Sequence, residues 1–349
     1  MRLKEVIAKG AAELFPGYFA LVMATGIISV ASYLLKIVWL GWGLFFINII
    51  FYLSLWLLTL IRLFRYWPKL LADLKDYIRG PGFFTLIAGT SILGNQFVLL
   101  VGNLAVSICL WFLAAILWFI LIYTFFTAVI VREQKPGLET GIHGGWLVIV
   151  VATQSISILA TLIAYKFGVW QEPLLFFALA LYLLGCMLYV IMISLIFYRL
   201  IFFRLTPEAL TPAYWVNMGS VAITTLAGAR LILTAPQWSF LQETLPFIKG
   251  FTLFFWSTAS WWVILLLILG VWLHFYKHFP LRYNPQYWSL VFPLGMYTTS
   301  TLVFAQATKL SFLEIIPKYF IYAALIAWVI TTWGLIRRLV RTFGTVEKS

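Results

Sequence analysis

Three kinds of residue in this chain have the type and spacing to do chemistry. The first is a set of small, hydroxyl and amide side chains that recurs at a fixed distance into five apolar segments: Thr25, Gly26 and Ser29; Thr90, Ser91 and Gly94; Thr153, Gln154 and Ser157; Ala222 and Thr225; Gly295 and Thr298. The second is Arg230, a cation inside an apolar run. The third is the pair Phe292 and Pro293, a bulky ring beside a residue that removes a backbone hydrogen bond and bends a helix. Hydrogen-bond donors, a cation and a ring at a bend suit a negative solute better than they suit bond making. The distribution of acids agrees. All eleven, Glu5, Glu13, Asp73, Asp76, Glu133, Glu139, Glu172, Glu208, Glu243, Glu314 and Glu347, fall in loops or at the ends of apolar runs. Cation pores and proton-driven pumps usually place a carboxylate at depth.

Each feature has a plain alternative. Small residues also allow close helix packing. Arg230 lies 18 residues into its segment, about 27 Å along a helix. It either snorkels to the far interface or makes that mouth electropositive. Phe292 either plugs a path or packs against a neighbouring helix. An intramembrane enzyme would need a base near Ser91 or Ser155, but His143, His274 and His278 all lie near the ends of runs. The stretch "HFYKH" spaces His274 and His278 for a shared metal and lacks the glutamate of a zinc-protease helix. Cys109 and Cys186 sit in apolar runs and fit neither a disulfide framework nor a thiolate site. No cofactor, metal or nucleic-acid partner is expected.

The elements that must position these residues follow from composition. The chain has 349 residues, 63% hydrophobic and 10% charged, with a mean hydropathy of +1.00. A soluble domain would carry about a quarter charged residues. The N-terminal stretch lacks the short apolar core and cleavage site of a signal peptide. Ten apolar runs, roughly 16–36, 40–61, 83–101, 104–130, 143–165, 173–198, 213–234, 247–273, 287–308 and 315–336, are near the ~20 residues needed to cross a bilayer. Backbone polar groups in lipid must pair internally, and no period-two alternation marks a barrel, so these runs are helices. The net charge of +13 is mostly topology. Eighteen of the 24 Lys and Arg fall at the termini and after the even runs, and only five, Lys36, Lys166, Lys249, Lys309 and Lys318, fall on the other side. By the positive-inside rule both termini are cytoplasmic, in an inner (plasma) membrane, with anionic headgroups as partners of the basic loops.

The odd runs repeat. They start "PGYFALVMATG" at Pro16, "PGFFTLIAGTS" at Pro81, "GGWLVIVVATQ" at Gly144, "PAYWVNMGSVA" at Pro212 and "PQYWSLVFPLG" at Pro285. The spacings are 65, 63, 68 and 73 residues. Proline suits a first helical turn, where its missing N–H costs nothing, and the aromatic pair suits an interface. Repeats of one orientation are related by an axis along the membrane normal. The fold expected is therefore an all-α polytopic membrane protein, ten transmembrane helices as five hairpins in a quasi-fivefold ring around a central pore. Residues 1–349 form one domain, with a short cytoplasmic N-terminus of about 1–15 and a tail of about 337–349. Counting the first residue of each repeat as zero, the small and hydroxylic residues sit at positions nine, ten and thirteen, and are expected to line the path. Phe292 is at position seven, where the others have Met23, Ala88, Val151 and Gly219.

The stretches "FPGYFALVMATGIIS", "RGPGFFTLIAGTSILGNQ", "WVNMGSVAITTLAG" and "YWSLVFPLGMYTTST" resemble signatures of the tellurite-resistance/dicarboxylate transporter family, which includes plant slow-type anion channels and yeast malate and sulfite transporters. The resemblance spans nearly the whole chain. It implies kinked odd helices around an anion path, a homotrimer, and an occluding phenylalanine in the ninth helix that matches Phe292. The fifth run departs from the pattern by lacking the starting proline, and the long regulatory tails of plant channels are absent. Transport of small inorganic anions or C4-dicarboxylates such as malate is the expectation. A proton-coupled dicarboxylate, sulfite or tellurite carrier is the alternative on the same fold.

Overall fold

A computed structural model describes residues 3–344, so Arg2, Glu347 and Lys348 of the charge count lie outside the described residues. Fourteen α-helices and no strand occur among them. In chain order they are α1 (Leu3–Ala12), α2 (Ala20–Leu34), α3 (Val38–Arg65), α4 (Trp67–Leu74), α5 (Phe84–Gln96), α6 (Leu104–Ile130), α7 (Leu138–Gly141), α8 (Val148–Ile163), α9 (Gln171–Phe202), α10 (Val216–Thr234), α11 (Ser239–Glu243), α12 (Leu245–Val271), α13 (Trp288–Thr308) and α14 (Ile315–Gly344).

Each of the five sequence repeats becomes one local structure, a 3-10 turn that feeds an α-helix. Pro16–Phe19 leads into α2, Gly80–Phe83 into α5, Gly144–Leu147 into α8, Pro212–Trp215 into α10 and Pro285–Tyr287 into α13. Gly144, where the repeat lacks its proline, has a structural reason. A Cβ there would stand 2.6 Å from both the Ala213 carbonyl oxygen and the Tyr214 Cα, so neither proline nor alanine fits. His143 supplies the cap instead: its Nδ1 accepts the Gly145 N–H at 3.1 Å, and its Nε2 bonds the Ile78 carbonyl at 3.2 Å. An acceptor Nδ1 requires a neutral ring, and burial holds the His143 pKa down at about 4.

Nine helical segments among the described residues are long and apolar enough to cross a membrane. The tenth run expected from sequence, α13, is outside that set because Tyr297, Thr298, Thr299, Ser300, Thr301 and Gln306 dilute it. Its surroundings explain the tolerance. Sixteen of its 21 residues are buried, so its side chains meet protein, not lipid.

The same contrast divides the rest. In the segments containing α2, α5, α8 and α10, 78–100% of the central window is buried; in those of α3, α6, α9, α12 and α14 it is 22–56%. Ile, Phe and Leu dominate the exposed faces of the second group, as a lipid-facing surface requires. The buried helices pack α2 on α5, α5 on α8, α8 on α10, α10 on α13 and α13 on α2. Each exposed helix packs on two of them: α3 on α2 and α5, α6 on α5 and α8, α9 on α8 and α10, α12 on α10 and α13, α14 on α13 and α2. The 3-10 turns touch in the same order. At the Gly82 and Gly17 contact a Cβ on Gly82 would lie 2.8 Å from the Gly17 nitrogen, so backbone meets backbone. Beside these turns Asp73 takes Arg62 and Arg79 at once, while Arg62 also donates to the Leu14 carbonyl, tying α3, α4 and the start of the first repeat together.

Candidate functional site

Where the five buried helices face one another, they line a cavity of about 70 Å³ that opens outward past the exposed residues Leu233 and Gln306. Its lining obeys the repeat. Position fourteen contributes Val30, Asn95, Ile158, Leu226 and Thr299; position eighteen contributes Leu34, Leu99, Leu162, Arg230 and Val303. Every helix gives one residue from each position, and Ile27, Leu233 and Gln306 complete the wall. Positions four apart lie on one helical face, one turn above the other.

Position seven is two turns back on that face, about 10 Å toward the 3-10 turns. Phe292 is there, 1% exposed. Its ring lies against Gly219 of α10, its own counterpart in the repeat: a Cβ on Gly219 would come within 3.4 Å of the Phe292 Cε1 and 2.7 Å of the Pro293 Cγ. Met23, Ala88 and Val151, the other counterparts, are buried too. Pro293 sits inside α13, where it leaves the Ser289 carbonyl without its helical N–H.

None of the residues at positions nine, ten and thirteen is in the wall of this cavity, although position ten, one turn before fourteen, is on the same side of each helix. Position nine is turned about 140° from position fourteen on a helix. Accordingly, Thr25 accepts the Trp328 indole N–H of α14 at 3.0 Å, Thr90 pairs with the Tyr52 hydroxyl of α3 at 3.0 Å, and Thr153 accepts the Trp118 indole N–H of α6 at 2.9 Å. Ser29 donates to the Gly41 carbonyl of α3 at 2.6 Å and Ser157 to the Ala178 carbonyl of α9 at 2.7 Å. The Gln154 amide donates to the Tyr182 carbonyl of α9 at 3.0 Å. Gly26, Gly94 and Gly295 allow close approach, their missing Cβ atoms lying 2.7 Å from Asn48, 2.5 Å from Leu159 and 2.8 Å from Ile28. Thr225 and Thr298 donate to carbonyls of their own helices, Val221 and Leu294, and Ala222 is fully buried. The Ser91 hydroxyl is buried without a partner.

The expected hydroxyl stripe is thus largely a seam between buried and exposed helices. The physical reason is the solvent. An indole or phenol turned inward from lipid has no water to bond, so the facing helix must supply the acceptor. The face around the cavity is instead aliphatic with sparse polar groups. Of the polar groups in this lining, sequence reasoning singles out Arg230 as a candidate, with the amides of Asn95 and Gln306 as donors suited to an anion, and passes over Thr299. The available signal was a column in the repeat, in which Arg230 stands among four aliphatic residues and Asn95 among three.

Arg230 and Asn95 are the unusual members of this lining. The Arg230 Nε is buried without a hydrogen-bond partner, and no acid pairs with its guanidinium among the described residues. Asn95 is 5% exposed and its Oδ1 has no partner. Buried polar groups normally pair, so the Arg230 Nε and the Asn95 Oδ1, both buried and unpaired, are the exceptions in this lining. His274 Nδ1 bonds the Phe279 carbonyl at 2.9 Å, and the Ser155 hydroxyl donates back to the Ala152 carbonyl at 2.7 Å.

The SLAC1 family, described as voltage-dependent anion channel, matches residues 13–336. An uncharacterized transporter of Methanocaldococcus jannaschii is 26% identical over 322 residues, 90% of this chain and 91% of its own. A second from the same organism is 27% identical over 324 residues, 90% of each chain. An uncharacterized membrane protein of Mycobacterium tuberculosis is 36% identical over 140 residues, 40% of this chain and 71% of its own.

Proposed function

The chain belongs to the SLAC1 family of voltage-dependent anion channels, and from that premise we propose that it passes small anions along a path enclosed by α2, α5, α8, α10 and α13 and closed by the Phe292 ring. Membership makes it an integral membrane transporter or channel rather than an enzyme. The observation that carries the gating role is the shared face. Phe292 stands on the same stripe as the cavity lining, and its ring rests on Gly219, the smallest of its four counterparts.

The rest of the reading follows from named features. Ten helices arranged as five hairpins in a quasi-fivefold ring are supported by the cyclic packing and by the repeated 3-10 turns. Arg230 makes the mouth beyond Phe292 electropositive, and no carboxylate lines the cavity, which favours an anion over a cation. It also gives no site for the proton of a coupled carrier there. The positive-inside count supports cytoplasmic termini in the plasma membrane for a single transmembrane unit spanning residues 1–349. The homotrimer rests on the family resemblance.

The test is anion flux into proteoliposomes for the wild type and Phe292→Ala. Removing the ring is expected to raise chloride and nitrate flux at least tenfold, with malate run in parallel. Unchanged flux in a folded Phe292→Ala protein would overturn the gate. Absence of anion flux in both proteins would overturn the transport reading.

A further inference from the structure

We infer that Arg230 and Asn95, with Gln306 at the rim, form a coordinating subsite that holds one small monovalent anion beyond the Phe292 ring. This rests on the transport reading above and adds that the path contains a place where the anion stops.

Three observations carry it. Arg230, Asn95 and Gln306 come from three different helices, α10, α5 and α13, and open onto the same cavity of about 70 Å³. The side chains of Arg230 and Asn95 have no hydrogen-bond or ion-pair partner among the described residues. Thr299, the remaining polar side chain of the lining, is already satisfied by the Gly295 carbonyl at 3.0 Å. The cavity therefore offers a guanidinium and amide N–H groups, and its other walls are aliphatic.

Charge and size fix the class of guest. One arginine neutralises one negative charge. A dianion there would keep a second charge uncompensated against the aliphatic walls, which is costly even where the rim at Gln306 opens outward. At the ~10–15 Å³ that a single water needs, 70 Å³ accommodates roughly five water-sized molecules, enough for a halide, nitrate or formate with part of its hydration. A four-carbon dicarboxylate has two charges and fits neither count.

The subsite is tested with chloride as probe, by two readouts. In detergent, broadening of the chloride NMR line reports binding to the wild type. In proteoliposomes, the concentration dependence of chloride, nitrate and malate flux is measured in the Phe292→Ala protein. Two substitutions are added to each: Arg230→Gln, and Asn95→Asp, which keeps the shape of the side chain and gives Arg230 a carboxylate of its own. Chloride and nitrate flux should saturate. Both substitutions should raise the half-saturating concentration at least tenfold and abolish the line broadening, and malate should not compete. Half-saturation and line broadening unchanged in a folded Asn95→Asp protein would overturn the subsite even if Phe292→Ala conducts. If Phe292→Ala fails to conduct but the wild type binds chloride and Asn95→Asp does not, the subsite stands and the gate falls.

Discussion

The seam between buried and exposed helices and the face the buried helices turn toward one another use polar side chains in opposite ways. Across the seam the repeated hydroxyls are answered: Thr25 by Trp328, Thr90 by Tyr52, Thr153 by Trp118, Ser157 by the backbone of α9. Around the cavity there are few, and Arg230 and Asn95 are answered by nothing in the protein. The lesson is that abundance of polar residues in a membrane helix marks an assembly surface. It is the unpaired one, on a face otherwise aliphatic, that marks a ligand.

Substitutions can break this comparison. The largest effect is expected at Gly219, where the inward face is tightest. Gly219→Leu pushes side-chain atoms into Pro293 and Phe292, and should cost about 3 kcal/mol of stability, read as a lowered unfolding temperature in detergent. Next comes the seam. Thr153→Val removes the acceptor of the Trp118 indole N–H and should cost about 1–2 kcal/mol, with anion selectivity in a Phe292→Ala background unchanged. A selectivity change there would erase the distinction between the two regions. Arg230→Gln should do the reverse: it removes an unpaired charge, so stability should stay within about 0.5 kcal/mol while chloride handling changes. A large loss of stability would show that Arg230 serves packing.

A pH-dependent effect lies outside both regions, at His143. Its folded-state pKa of about 4 is below the ordinary 6.5, so the folded protein binds its proton later than the unfolded chain does. The stability it contributes is whole above pH 6.5 and is lost as pH falls from there to about 4. His143→Asn, which can still cap Gly145, should flatten that part of the pH dependence of the unfolding temperature.

Much of this was legible in the sequence. The apolar runs, the repeat and its aromatic starts all correspond to helices and 3-10 turns at the expected places. What could not be read was rotation. In α8 every residue from Val148 to Ile163 is buried, so no polar side contrasts with an apolar one, and periodicity cannot say which face looks inward. Polar residues drew attention to positions nine and thirteen, whereas the lining at fourteen and eighteen is mostly Val, Leu and Ile. The missing proline of the fifth repeat looked like a departure. The tertiary contact of Gly144 with Ala213 makes it a requirement, and no pattern within one repeat could show that.

The five 3-10 turns touch in a closed cycle, and two of the joints are main chain to main chain. Such a hoop, with no flexible side chains between the struts at Gly17–Gly82 and Gly144–Ala213, resists dilation, because widening one joint strains its neighbours. On the proposed reading, then, the barrel does not open like an iris. The permitted motion is the swing of a single ring above the hoop, a rotamer-scale event that is fast beside helix displacement, so what limits passage is how Phe292 is held and not how far the helices can part.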